Sequence, residues 1–287
     1  MITIINTLDQ LDLMFDDGQF NLDKWEGYIN SIYENSANLF KDEVNNYISS
    51  GNYCWEKDFL PIINNVYKNR NLTLLSESFL QVVEKLNARV VDTFQQKLDV
   101  DVVLFLGLCN GAGWATEING RNVVLLGIEK ILELEWFKPQ KMRGLIYHEL
   151  GHVYHKQFGL LQQLNEGNAH FFVYQLFVEG IAMYFEQSLV GDLNYFHQDD
   201  NDWKKWCDEN FTMILKDFHK DLLTMTRFNQ RYFGDWANYK GKADVGYYLG
   251  AKFVHHLIER YSFNEIISFD SELVYKLYSD FVNKVTD

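Results

Sequence analysis

The sequence predicts an α+β fold that is mostly α. Three observations lead there. Prolines are scarce, Pro61 and Pro139 alone in 287 residues, so little interrupts a helix. Apolar residues recur at helical spacing along the N-terminal third and again after Pro139. Between these stretches lies one β-branched, apolar run, Val100 to Leu106, followed by a hairpin signal.

Taken in order, residues 21–50 read as helix. Leu22, Trp25, Ile29, Ile32 and Tyr33 fall at helical spacing, and Asn21 suits the N-cap. Phe59, Ile62, Ile63, Val66 and Tyr67 mark a short second helix. Residues 76–95 repeat the pattern with Phe79, Leu80, Val83, Leu86, Val90 and Val91. Val100 to Leu106 reads as a strand. Trp114–Ile118 and Arg121–Leu126 flank Asn119-Gly120, a pair suited to a two-residue turn in which both residues need positive φ. Gly107, Gly111 and Gly113 form a glycine-rich turn before the hairpin. It lacks the Gly-Lys-Ser/Thr ending of a phosphate loop. Pro139 suits the first turn of a helix that Gly159 ends, and Gly191 ends the next. No flexible linker stands out. The reading is a helical region over 1–95 and a region carrying the chemistry over 96–287, with a helical C-terminal lobe, the two compatible with one continuous domain.

Composition removes several classes. With 47% hydrophobic and 16% aromatic residues, a disordered coil is excluded. No run approaches the roughly 18 apolar residues that span a bilayer, so no membrane partner is expected. A net charge of −14 repels phosphate backbones, so no nucleic-acid partner is expected. Cys54, Cys109 and Cys207 are odd in number and widely spaced, which suggests neither a disulfide framework nor a cysteine zinc site. The first residues, Met-Ile-Thr-Ile-Ile-Asn, lack a basic segment and a long apolar one, so a reducing, cytoplasmic setting is expected.

The chemistry is concentrated in His148-Glu149-Leu150-Gly151-His152, inside the helix that begins near Pro139. Residues four apart share a helix face, so both imidazoles can reach one ion, and imidazole suits zinc. Glu149 flanks that ion without ligating it, where it can take a proton from a zinc-bound water. Gly151 costs about 1 kcal/mol in a helix interior relative to alanine, which points to close approach of another backbone, plausibly that of the hairpin. A catalytic zinc normally has three protein ligands and one open position. His155 lies two turns, about 10 Å, beyond His148 and cannot share its ion. Glu179 is the strongest candidate. It sits in the apolar stretch Leu176 to Met183, where a carboxylate buried without a partner would cost several kcal/mol. Gly180 beside it would let the helix approach the His148 helix. Glu186 stands second and His170 third, the latter reading more readily as a helix start.

These residues together resemble the gluzincin metallopeptidases, which ligate zinc with two motif histidines and a glutamate on a following helix. The Val178-Glu179-Gly180-Ile181-Ala182 form is similar to uncharacterised, predicted zinc-dependent proteases of bacteria, and the likeness covers about residues 100–260. The resemblance implies a zincin-like core: a small mixed β-sheet, an active-site helix, and helical additions at both ends. It implies one Zn2+ per chain and a peptide or protein substrate. It places an edge strand before the motif helix, matched here by Arg121–Leu126. Gly246-Tyr247-Tyr248-Leu249-Gly250 matches a later Gly-Tyr-x-x-Gly helix, with Tyr247 a phenol able to stabilise an oxyanion. The alternative is that Gly246 and Gly250 serve helix packing and both tyrosines are core. The thermolysin-like aspartate four residues after the third ligand is Met183 here. The metzincin glycine and histidine positions hold His155 and Phe158, and no Gly-x-Met-Glu-Asn motif is present. The expected function is a zinc peptidase with Glu149 as general base. A non-catalytic binding protein on a zincin scaffold and a zinc hydrolase of a non-peptide amide stand as alternatives.

Other features read as structure. His255-His256 suits a half-exposed surface pair, and Trp203, Trp206 and Phe211 suit a core stripe. Asp199-Asp200-Asn201-Asp202 lacks the spacing, central glycine and terminal glutamate of a calcium loop, so it reads as a turn and N-cap.

Overall fold

A computed structural model describes residues 1–286. The chain divides into two units, Met1–Glu149 and Leu150–Asp287. The division falls inside one helix. At the N-terminus, β1 (Ile2–Asn6) pairs with a strand from beyond residue 95.

In the first unit, β1 is followed by a small hairpin of β2 (Phe15–Asp16) and β3 (Gln19–Phe20). Helices α1 (Leu22–Ile32), α2 (Ala37–Ser49), α3 (Leu60–Asn64), α4 (Leu72–Val83) and α5 (Leu86–Phe94) come next. Strands β4 (Val100–Phe105), β5 (Gly113–Ile118) and β6 (Arg121–Gly127) and the short α6 (Ile128–Glu133) complete the unit before the motif helix. The four-stranded sheet has the order β1-β4-β6-β5. β1, β4 and β6 run parallel, and β5 pairs antiparallel with β6. The sheet is therefore mixed. β4 is buried along its whole length, as its unbroken apolar run requires. Asp101 within it is held by Arg121, whose Nη2 lies 2.8 Å from Oδ1.

Local readings fare unevenly. Asn21 caps α1, its side chain accepting from the Lys24 N–H at 3.1 Å. Asn119 and Gly120 both have positive φ, 51° and 77°, as the turn demands. The helix expected over 21–50 is two helices, because Tyr33 is extended and Asn35 takes φ of 59°. That expected over 76–95 breaks at Lys85, between α4 and α5.

The second unit begins within α7 (Pro139–Phe158) and continues through α8 (Phe171–Val190), α9 (Trp203–Glu209), α10 (Phe211–Asp221), α11 (Val245–Ile258), α12 (Phe263–Ile266) and α13 (Ser271–Thr286). α8 and α11 pack backbone to backbone: a Cβ on Gly180 would lie 2.3 Å from the Gly250 carbonyl oxygen. Gly191 ends α8 in the left-handed conformation, φ 84°. Helix does not continue through the rest of the unit, since residues 222–244 hold neither helix nor named strand. Trp203 is buried, while Trp206 and Phe211 are half-buried. Asp199 Oδ1 accepts the Lys204 N–H at 2.9 Å, so the acidic run is the turn that starts α9. Among the described residues no helix is long and apolar enough to cross a membrane.

Candidate metal centre

α7 starts at Pro139, where the missing N–H costs no hydrogen bond. Met142, Leu145, Ile146, Tyr147, Leu150, Val153 and Tyr154 are all buried, so the helix is enclosed on several sides. α8 is likewise apolar nearly all round. The two helices meet where Gly151 faces Ala182: a Cβ at 151 would lie 2.7 Å from the Ala182 Cα. The bare position on α7 thus accommodates α8, not the hairpin strand. Gly180 does not face α7 either; it faces Gly250 on α11. The sequence predicts close approach at both glycines correctly, but each has a different neighbour.

The Gly151–Ala182 contact lies one residue from His152 and three from Glu179. Their side chains converge, with His152 Nε2 3.3 Å from Glu179 Oε2. His148, one turn back, completes the group: one donor atom from each of His148, His152 and Glu179 lies within 4.8 Å of the others. His148 is buried, and His152 and Glu179 are half-buried. Two imidazoles and a carboxylate form a donor set that suits zinc and leaves a coordination position for water. The residues present therefore fit a single ion of that kind.

Glu149 is not one of the three. It is 8% exposed, and its carboxylate lies against the start of β5. A Cβ on Gly113 would be 2.5 Å from Glu149 Oε1 and 2.7 Å from its Cγ. The edge strand beside the motif is therefore β5. Arg121–Leu126, expected in that role, belongs to β6 and is paired on both sides, with β4 and with β5. A hairpin signal identifies two adjacent strands but not which of them the third strand joins.

The remaining candidates separate. Tyr248 is buried and its hydroxyl donates to Asp208 Oδ1 at 2.7 Å. Tyr247 is half-buried, its ring edge-on to Phe233 with centroids 6.1 Å apart. Glu186 is wholly buried and meets His197, whose Nδ1 lies 3.0 Å from both carboxylate oxygens. His170 precedes α8 as expected and stacks on Tyr275 at 4.4 Å. His155 is wholly buried, and burial pulls its imidazole down to about 4. His255 Nε2 lies 2.7 Å from Gln187 Oε1 and is lowered to about 4 for the same reason.

One buried carboxylate near the motif was not singled out from sequence. Glu129, at the start of α6, is 1% exposed. It accepts the N–H of Gly107 at 2.8 Å and of Cys109 at 2.9 Å. Burial raises its affinity for a proton, and these two N–H groups oppose that shift. The signal was available, since Glu129 interrupts the apolar run Val123 to Leu132 much as Glu179 interrupts its own. Comparison with family models, curated proteins and solved structures gives no match for this chain.

Proposed function

We propose that this chain is a zinc-dependent peptidase of gluzincin type. The observation that carries the reading is the convergence of His148, His152 and Glu179 within 4.8 Å, with Glu149 adjacent in sequence and outside the group. His148, His152 and Glu179 would hold the ion. A bound zinc supplies Lewis-acid polarisation of a carbonyl and lowers the pKa of water. Glu149 takes the proton of the attacking water and delivers it to the leaving amine. Tyr247 is assigned the role of hydrogen-bond donor to the oxyanion. β5 is an outer strand of the sheet, and its outer edge would offer main-chain donors and acceptors to an extended peptide. Cys54, Cys109 and Cys207 are in no disulfide, which suits a cytoplasmic setting.

The test is elemental analysis of wild type, Glu179→Ala and Glu149→Gln, purified without added metal, alongside cleavage of a peptide library. About one zinc per chain is expected in wild type and in Glu149→Gln, and sharply less in Glu179→Ala. Cleavage is expected in wild type alone. Absence of zinc from wild type after reconstitution, or normal turnover by Glu149→Gln, would refute the reading.

A further inference from the structure

Several close-packed glycines in this chain are explained by backbone. Gly151 faces the Ala182 backbone, Gly159 the Ile267 carbonyl, and Gly180 and Gly250 face each other. Gly113, like Gly107 and Gly246, meets side chain first, and at Gly113 that side chain is Glu149. Gly113 has no positive φ, so its backbone conformation is open to any L-residue. It also lies in an edge strand, where alanine is less disfavoured than glycine. The three atoms nearest a Cβ there are all side chain: Glu149 Oε1 at 2.5 Å, Glu149 Cγ at 2.7 Å and Leu145 Cδ1 at 2.8 Å. Two of the three atoms belong to the residue assigned as general base.

The strand is held in that place by a rigid approach. The loop 107–112 folds around the Glu129 carboxylate, which takes the N–H groups of Gly107 and Cys109. A Cβ on Gly107 would lie 2.5 Å from Glu129 Oε1, so the carboxylate fills the space a side chain would need. The Gly127 N–H donates to the Ala112 carbonyl at 3.0 Å. A Cβ on Gly127 would meet the Gly111 carbonyl at 2.5 Å. Asn110 Nδ2 donates to the Phe40 carbonyl at 3.0 Å, tying the loop to α2. The loop therefore cannot slide to relieve a new contact at 113 without breaking bonds to a buried carboxylate.

We propose that Gly113 is a positioning residue: its bare Cα, held in place by the loop built on Glu129, sets where the Glu149 carboxylate stands. The inference rests on the peptidase reading above. A methyl at 113 meets side-chain atoms of Glu149 and Leu145 before any backbone, so the fold survives and the displacement falls on the base. Misplacing a catalytic group by about 1 Å costs on the order of 100-fold in rate.

The experiment compares wild type with Gly113→Ala, Glu129→Gln and, as a control, Gly27→Ala, whose Cβ meets nothing within 4 Å. Zinc content, Tm, kcat, KM and a crystal structure of each are measured, with Glu149→Gln in parallel. Gly113→Ala is expected to keep its zinc and its Tm, to hold KM within about twofold, and to lose kcat by on the order of 100-fold. Its crystal structure is expected to show the Glu149 carboxylate moved from its wild-type position. Glu129→Gln sets an N–H2 against a backbone donor and is expected to give the same signature more weakly. Gly27→Ala is expected to match wild type in zinc content, kcat and KM, with a Tm no lower than wild type. If wild type cleaves through Glu149 but Gly113→Ala retains kcat, or loses it with Glu149 unmoved, the inference alone is overturned. A fall in Tm that accounts for lost activity also overturns it, by making Gly113 merely structural. If wild type neither binds zinc nor cleaves, the peptidase reading fails and the inference falls with it.

Discussion

Substitution of Gly180 by alanine tests the packing that carries Glu179. A Cβ at 180 would stand 2.3 Å from the Gly250 carbonyl oxygen, 2.6 Å from the Gly250 carbonyl carbon and 2.8 Å from Val254 Cγ2. Ordinary contact begins near 3.4 Å, so α8 and α11 must part by about 1 Å. The nearest obstacle is backbone and cannot rotate away. Overpacking of this kind costs about 1–3 kcal/mol, and a rigid obstacle places it at the upper end. The gain in helix propensity from glycine to alanine returns about 1 kcal/mol. The net expectation is a loss of about 2 kcal/mol, or about 4–8 °C in Tm for a protein of this size. The assay is urea and thermal unfolding of chelator-treated protein, so that metal binding does not enter the comparison. Gly27→Ala is again the control. Gly27 lies inside α1 with open space around it, so alanine there should stabilise by about 0.5–1 kcal/mol. If Gly180→Ala proves as stable as wild type, the close crossing of α8 and α11 is not as described. Glu179 would then owe its placement to something else.

Two further predictions follow from buried groups. His255 is lowered by burial to about 4 from its ordinary 6.5, so the folded state holds it neutral while the unfolded chain takes up a proton as pH falls below 6.5. Its contribution to stability is therefore complete above pH 6.5 and is lost as pH falls from 6.5 to 4, on the order of 2 kcal/mol after allowing for its partial exposure. Urea unfolding at pH 7, 5.5 and 4.5 should show that loss in wild type and a shallower one in His255→Gln; equal slopes would refute it. Cys207 is wholly buried, and burial pushes its thiol up to about 12, whereas Cys54 and Cys109 are half-buried. Brief alkylation of the native protein, mapped by mass spectrometry, should spare Cys207 until denaturant is added, because the thiolate is the reactive form.

How much of this was legible from sequence depends on the range of the interaction. The motif helix was legible because Pro139, the His148–His152 spacing and the flanking apolar residues all act within a few turns. The Asn119-Gly120 turn was legible for the same reason. Asp17-Gly18 carries the same turn chemistry, with φ of 48° and 85°, and joins β2 to β3, so that hairpin could have been read as well. β1 could not. It is five residues long with two of them exposed, and it gains its identity only by pairing in parallel with β4, some hundred residues away. The edge strand was misplaced for a related reason, since the β4–β6 pairing is non-local while the β5–β6 hairpin is local. The break between α1 and α2 involves neither proline nor glycine, only Asn35 in the left-handed region, so no strong local signal marks it.

Glu179 shows where reading a sequence reaches its limit. A carboxylate in an apolar helix needs a partner, which singles out Glu179 and equally Glu186, seven residues along the same helix and more deeply buried. Physical chemistry demands a partner for each but does not name it. The partners come from elements far off in sequence or beyond the end of the helix: His152 from α7 faces Glu179, and His197, from the loop after α8, faces Glu186. The same holds for Glu129, whose partners are backbone N–H groups from a glycine loop twenty residues earlier. All three carboxylates break apolar runs, and only the tertiary fold separates the one that joins two histidines from the two that brace loops.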